Sequence, residues 1–294
     1  MYTNQYSLPR RIWRIIYPVL IFVGIQLVIG IAIELCATLV FTFREIMRGA
    51  AEFDASELMD RVMPFVLENS TLIVLICNII SFAVFLPLWL ATRKRAERFE
   101  NRRPVALGIV ILGFFSGFNV VQLLVFGLTD ITRFFPAYEE VAGMLSGGSV
   151  LMQVLAVGIS APVVEELVFR GILMNRMKWL PVWASVLIQA LLFSFVHFNL
   201  FQCLYAFLAG VLLGLVYLKY RSVIMVILGH VAFNMISIIL SEFLPENMAV
   251  VVFLICPLLM LGCGAILIKR PGARLPIMDT GQKAERPEYY TPAP

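Results

Sequence analysis

The chain has 294 residues, of which 61% are hydrophobic and 14% charged, with a mean hydropathy of +0.90. That is far more apolar than a soluble domain of this length and points to a polytopic membrane protein. The net charge of +4 is small, and the basic residues gather in short loops between apolar runs, which argues against nucleic-acid binding and reflects membrane topology instead.

Residues 1–14 are polar and carry Arg10, Arg11 and Arg14, and the apolar run at 15–43 is long enough to cross a bilayer with some tilt. That run is too long for a cleavable signal and lacks an A-x-A-like exit. Glu34 within it is read as lying near the far interface. Residues 44–71 are polar and acidic, but Asp54-Ala55-Ser56-Glu57 resembles a capping box. Leu58, Met59, Val62, Met63, Val66 and Leu67 follow at helical spacing. This pattern predicts a short amphipathic helix lying on the membrane surface.

Second and third spans are expected at 72–91 and 105–128, separated by the most basic loop of the chain. The Glu139–Glu140 pair beyond the third span lies in a polar loop and reads as solvated. The fourth span begins after Ser146-Gly147-Gly148-Ser149 and carries P-V-V-E-E-L-V-F-R at 162–170. Pro162 there removes one backbone donor and frees a carbonyl a turn earlier, which a neighbour must satisfy. Spans five to eight are expected at 181–197, 204–217, 223–240 and 248–268, and Gly210 and Gly214 form a G-x-x-x-G that reads as close helix packing. The proline-rich stretch 269–294 reads as a disordered tail.

Together these segments describe an all-α polytopic membrane protein of about eight transmembrane helices, with a short amphipathic surface helix after the first span. They divide into an N-terminal three-span region (1–147), a core of four membrane helices (148–241), a last transmembrane helix (242–268) and a cytoplasmic tail (269–294). With this count, 19 of the 23 Lys and Arg residues fall on one side, which predicts that both termini are cytoplasmic, in the plasma membrane. As full spans, helix four would place Glu165 towards the cytoplasm and helix five would place His197 towards the outside. The uncharged connection 198–201 therefore predicts that helices five and six form a hairpin whose tip stops inside the bilayer under protein cover.

A charge at the bilayer centre costs roughly 2.5–3.5 kcal/mol, so the two adjacent glutamates need partners. On a helix, Glu166 and Arg170 stand at i,i+4 and can pair, whereas Glu165 points about 100° away. The two histidines of the chain, His197 and His230, lie in later apolar segments, with Phe193 one turn before the first and Asn234 one turn after the second. A carboxylate, two imidazoles and a carboxamide on three helices can activate water and stabilise an oxyanion. Glu165 suits a general base, His197 can hold the same water or shuttle the proton, and His230 with Asn234 can aim donors at the oxyanion. Glu165, His197 and His230 are also acceptable Zn²⁺ ligands, so a zinc-dependent protease using the same residues stands as an alternative.

Other peptidase classes fit poorly. H-E-x-x-H is absent, no aspartate occurs from 131 to 278, and Gly158-Ile159-Ser160-Ala161 only faintly echoes a rhomboid serine motif. The five cysteines, Cys36, Cys77, Cys203, Cys256 and Cys263, sit in or beside apolar segments without metal or disulfide spacing. A non-enzymatic immunity or scaffold protein, or a proton-coupled transporter using the same polar cluster, are the readings from other classes.

E-E-x-x-x-R at Glu165, Glu166 and Arg170, F-x-x-x-H at Phe193 and His197, and H-x-x-x-N at His230 and Asn234 resemble, in order, the three motifs of the CAAX prenyl protease and bacteriocin-processing (Abi) family. The resemblance covers residues 148–241. It implies an eight-helix intramembrane endopeptidase with Glu165 and His197 as the water-activating pair and His230 and Asn234 as oxyanion stabilisers. Glu166, Arg170 and Phe193 would then support them. Family members are described both as glutamate-dependent and as metal-dependent. Asparagine is a poor zinc ligand but a good oxyanion donor, which favours the glutamate version with no cofactor. The expected partners are the lipid bilayer and a membrane-associated peptide or protein, cut near the cytoplasmic face.

Overall fold

Apolar runs of this length have no water to satisfy their backbones, so each must close its hydrogen bonds internally as a helix. The computed structural model describes residues 7–48, 55–92, 104–129, 131–135, 143 and 148–269, and every element among them is helical. In chain order they are α1 (Leu8–Met47), α2 (Ala55–Glu68), α3 (Ser70–Thr92), α4 (Pro104–Thr129), a 3₁₀ turn (Ile131–Phe134), α5 (Val150–Arg176), α6 (Val182–Phe195), α7 (Leu200–Tyr220), α8 (Val223–Phe243) and α9 (Glu246–Lys269). The basic loop after the second span, the Glu139–Glu140 pair, Asp54 of the capping signature and the tail beyond Lys269 lie outside the described residues.

Seven helices, α1, α3, α4, α5, α7, α8 and α9, are long and apolar enough to cross a membrane. The chain is an integral membrane protein of the all-α class. The amphipathic segment forms α2, held against α1 by the Phe41–Phe65 ring contact at 5.8 Å and by Arg61 donating to Glu45. Helix α1 runs 40 residues, well past the expected 15–43 at both ends, and Glu34 is exposed on it.

The fifth and sixth spans differ from expectation. Helix α6 has 14 residues and stops at Phe195, about 21 Å of helix against a hydrocarbon core of about 30 Å. His197, expected at the end of the helix, instead sits in the turn beyond it, where Phe198 takes a left-handed φ of 52°. The chain re-enters helix at once because Asn199 accepts from the Gln202 amide at 3.0 Å and caps α7. Helix α7 is 21 residues long, several more than its apolar pattern suggested. The two helices pack closely along Gly210, where an added Cβ would lie 3.1 Å from Ala190. This small-residue seam is what the G-x-x-x-G predicted.

Helix α5 departs most from regularity. It is π-helical at Val154–Ser160 and Leu167–Leu173, with α-helix at Ala161–Glu166 between them. Helices α3 and α8 pack along it, and the α6–α7 hairpin closes over its second half. At the other edge of the bundle, α9 lies on α4. Its C-terminal carbonyls are capped from α7, where Lys219 Nζ donates to Leu267 O at 2.5 Å and Tyr220 OH donates to the same oxygen at 3.2 Å.

Candidate active site

The glutamate pair occupies the short α-helical stretch of α5, between the two π segments. Glu166 and Arg170 are both 0% exposed and pair at 2.7 Å, as their i,i+4 spacing predicts. The same Glu166 oxygen accepts from His230 Nδ1 on α8 at 2.8 Å. Arg170 continues the chain of contacts by donating from Nη2 to the Gly210 carbonyl of α7 at 3.1 Å. It also lies over the Phe193 ring at 4.7 Å, a desolvated cation–π contact.

A carboxylate accepting from Nδ1 fixes the imidazole tautomer and ring orientation. With Nδ1–H committed to Glu166, His230 turns Nε2 towards Glu165, whose Oε2 lies 3.6 Å away. That separation is too long for a direct hydrogen bond and leaves the two groups facing across a narrow gap. The Glu165 side chain is 14% exposed, in contrast to its fully buried neighbour. Of the two adjacent carboxylates, one is therefore used up in holding a histidine and the other is presented to the gap.

Phe193 is the common wall. Its ring stacks edge-on with His197 at 5.1 Å, His230 at 5.7 Å and Phe169 at 5.2 Å. His197 reaches the site from the hairpin turn, and its Nδ1 donates to the Phe193 carbonyl at 2.9 Å, which leaves Nε2 as an acceptor. His197 lies within electrostatic reach of both Glu165 and His230. The structure thus brings Glu165, Glu166, Arg170, Phe193, His197 and His230 to one place.

Asn234 stands one turn beyond His230, but its amide donates to the Val157 carbonyl at 2.8 Å. The reason lies in α5. The Ala161 N–H bonds Ala156 O in π register, so the next donor in that register would be residue 162, and proline has none. Asn234 supplies the donor that Pro162 withholds. One N–H of its carboxamide is committed in this way, leaving the second for other work.

The face of α8 that carries His230 changes character along the helix. On the face of α8 that carries His230, Val223 and Val226 are buried towards the helix start, and they pack in the same apolar core as Phe169, Ile172, Leu173 and Tyr217. In the other direction the same face continues through Asn234 and Ser237 to Ser241, half-buried and then exposed. Ser237 donates to Asn119 of α4 at 3.0 Å, and Gln153 at the start of α5 donates to Glu242 at 3.4 Å. Ile239, on the opposite side of α8, is exposed as a lipid-facing residue would be.

Two contributors escaped the sequence reading. Gln189 on α6 is buried and donates to Gly210 O at 2.8 Å, sharing the acceptor of Arg170. Asn78 on α3 is buried and donates to Ala156 O at 3.2 Å. The signal for each was a lone carboxamide in the middle of an apolar span, which a membrane helix does not carry without a partner.

Among the described residues, no three His, Cys, Asp or Glu side chains gather as a metal-ligand set. His230 already turns both ring nitrogens to carboxylates. In this arrangement Glu165, His197 and His230 do not stand as a gathered three-ligand zinc set, and no step below is routed through a metal. All five cysteines are free thiols.

No curated protein and no solved structure matches the chain. Residues 147–236 match the family model described as Rce1-like, type II CAAX prenyl endopeptidase, a stretch that begins just before α5 and ends just past Asn234. Those residues hold every side chain of the carboxylate–imidazole cluster, and over them the chain is similar to the Rce1-like family of CAAX prenyl endopeptidases.

Proposed function

We propose that this protein hydrolyses a peptide bond of a membrane-associated peptide or protein by glutamate-activated water, and that residues 148–241 are its catalytic unit. The observation that carries the reading is the division of labour between the two glutamates: Glu166 holds His230 at 2.8 Å, and Glu165 faces the same ring across 3.6 Å. A structural ion pair needs only the first of these contacts.

In this mechanism water sits between Glu165 Oε2 and the Nε2 atoms of His230 and His197. Glu165 takes a proton as the water oxygen attacks the scissile carbonyl, and the carbonyl π electrons move to its oxygen. His230 donates from Nε2–H to that oxyanion while Nδ1–H stays on Glu166, and the second N–H of Asn234 adds another donor. Collapse of the tetrahedral species re-forms the carbonyl and breaks the C–N bond. The leaving amine takes the proton held by Glu165, which restores the carboxylate. His197, with Nδ1–H fixed on the Phe193 carbonyl, accepts from the attacking water and orients it.

The family description makes a farnesylated peptide ending in C-a-a-X the first probe. Purified protein in liposomes is expected to release the terminal tripeptide from that probe and to keep doing so after treatment with a zinc chelator. Absence of cleavage, with this probe and with an unprenylated membrane-peptide library, sinks the peptidase reading. Loss of activity on chelation with recovery on added Zn²⁺ moves it to the metal-dependent version.

We further propose the orientation given by the Lys and Arg asymmetry, with both termini cytoplasmic. The buried, apolar start of α8 then faces the cytoplasm and its polar end faces the opposite side, the end from which we propose that water and substrate reach the site. In a cysteine-free background, Ser241→Cys is expected to react with a membrane-impermeant maleimide added outside intact cells, while Val226→Cys stays unlabelled. Labelling of Ser241→Cys only after permeabilisation reverses the orientation, and no labelling in either state removes the opening.

A further inference from the structure

The π segment Val154–Ser160 lies two turns before Glu165 and is held from two sides. On one side Asn234 donates to Val157 O at 2.8 Å. On the other, Asn78 of α3 donates to Ala156 O at 3.2 Å and to Ser160 Oγ at 3.0 Å, and Ser160 itself donates to Ala156 O at 2.9 Å. Two asparagines from different helices thus hold successive carbonyls of one irregular turn. Asn78 is 3% exposed and lies far outside the 147–236 stretch.

A π segment adds one residue to the helical turn, and it persists only where outside groups satisfy the backbone it displaces. Relaxation to α register would rotate everything downstream by about 100°, one residue's worth of helical turn. That rotation would carry Glu165 into the place Glu166 holds and bring Val164 to His230 Nε2, so the register decides whether a carboxylate faces the gap. Ala156 O carries the donors that distinguish the two registers: the Ala161 N–H from within the helix and the Asn78 amide from outside.

We infer that Asn78 is a positioning residue for the hydrolytic site: through Ala156 O and Ser160 it locks α5 in the π register that turns Glu165, rather than Val164, to the gap. It touches no reacting atom. This inference rests on the peptidase reading for its catalytic consequence but not for its structural one.

Two measurements on full-length protein in nanodiscs test it, comparing wild type, Asn78→Leu, Asn78→Gln and Ser160→Ala. Hydrogen–deuterium exchange of peptides covering 154–166 is expected to quicken about ten-fold in Asn78→Leu while α7 and α8 are unchanged, a local opening. Cleavage of the farnesylated peptide is expected to lose about ten-fold or more in kcat with KM within about two-fold, because sub-ångström placement of the general base is at stake. Asn78→Gln, which keeps a carboxamide, is expected to recover part of both. Ser160→Ala is expected to show the same pattern more weakly and to add nothing in the Asn78→Leu background.

Unchanged exchange at 154–166 in Asn78→Leu overturns the clamp, and it does so even where no substrate is cleaved. Quickened exchange with kcat unchanged overturns the positioning role. Equal quickening across all helices reduces Asn78 to general packing and likewise overturns the proposal. Failure of wild type to cleave any peptide is the separate failure of the peptidase reading, and the exchange result then decides the clamp alone.

Discussion

Glu165→Gln is expected to lower kcat by about 10²- to 10⁴-fold, the range general-base removal covers, with KM little changed. Glutamine fills the same volume and leaves the Glu166–Arg170 pair and its 2.7 Å contact untouched, so folding should be preserved. The check is single-turnover cleavage of the farnesylated peptide beside thermal unfolding of the same preparation. The neighbouring Glu166→Gln distinguishes the two carboxylates. It removes the anion that holds His230 Nδ1 and should lower both activity and stability. If Glu165→Gln keeps wild-type activity, the assignment of the two glutamates is wrong, whatever the protein cleaves.

Arg170→Met has the largest expected effect on stability. Arg170 and Glu166 are both 0% exposed, and Arg170 also donates to the Gly210 carbonyl of α7. Breaking a buried pair by removing one partner leaves an uncompensated charge and costs about 3–5 kcal/mol. Loss of the Gly210 contact also loosens the α6–α7 hairpin, which carries His197. The expected result is a strongly lowered unfolding temperature in detergent, read by a thiol-reactive dye at the buried Cys77. A double change, Glu166→Gln with Arg170→Met, removes both charges and is expected to recover much of the stability but not the activity, because His230 loses its anionic partner. Equal stability of Arg170→Met and wild type would show that the pair is not what holds α5 to α7.

The buried pair also shows how far residue spacing alone can reach. The i,i+4 relation of Glu166 and Arg170 is local, so helical geometry determines it once the segment is known to be a helix. Within the span, that geometry separates Glu165 from the pair and leaves it in need of distant partners. The lone histidines and Asn234 were legible for the same reason: a polar side chain in an apolar span must find a partner or carry out chemistry.

The sequence by itself determined the all-α membrane class, seven of the eight expected spans, the G-x-x-x-G seam at Gly210 and the ion pair, because each follows from hydrophobic length or from contacts within a few residues. The tertiary structure alone decided how the cluster is used. His230 is shared between two carboxylates, Asn234 is drawn to the carbonyl that Pro162 leaves without a donor, and His197 arrives on a turn because α6 ends early. The second of these outcomes goes with the π register of α5, which no local propensity specifies. It is set by donors from α3 and α8, residues distant along the chain that meet only when the bundle closes.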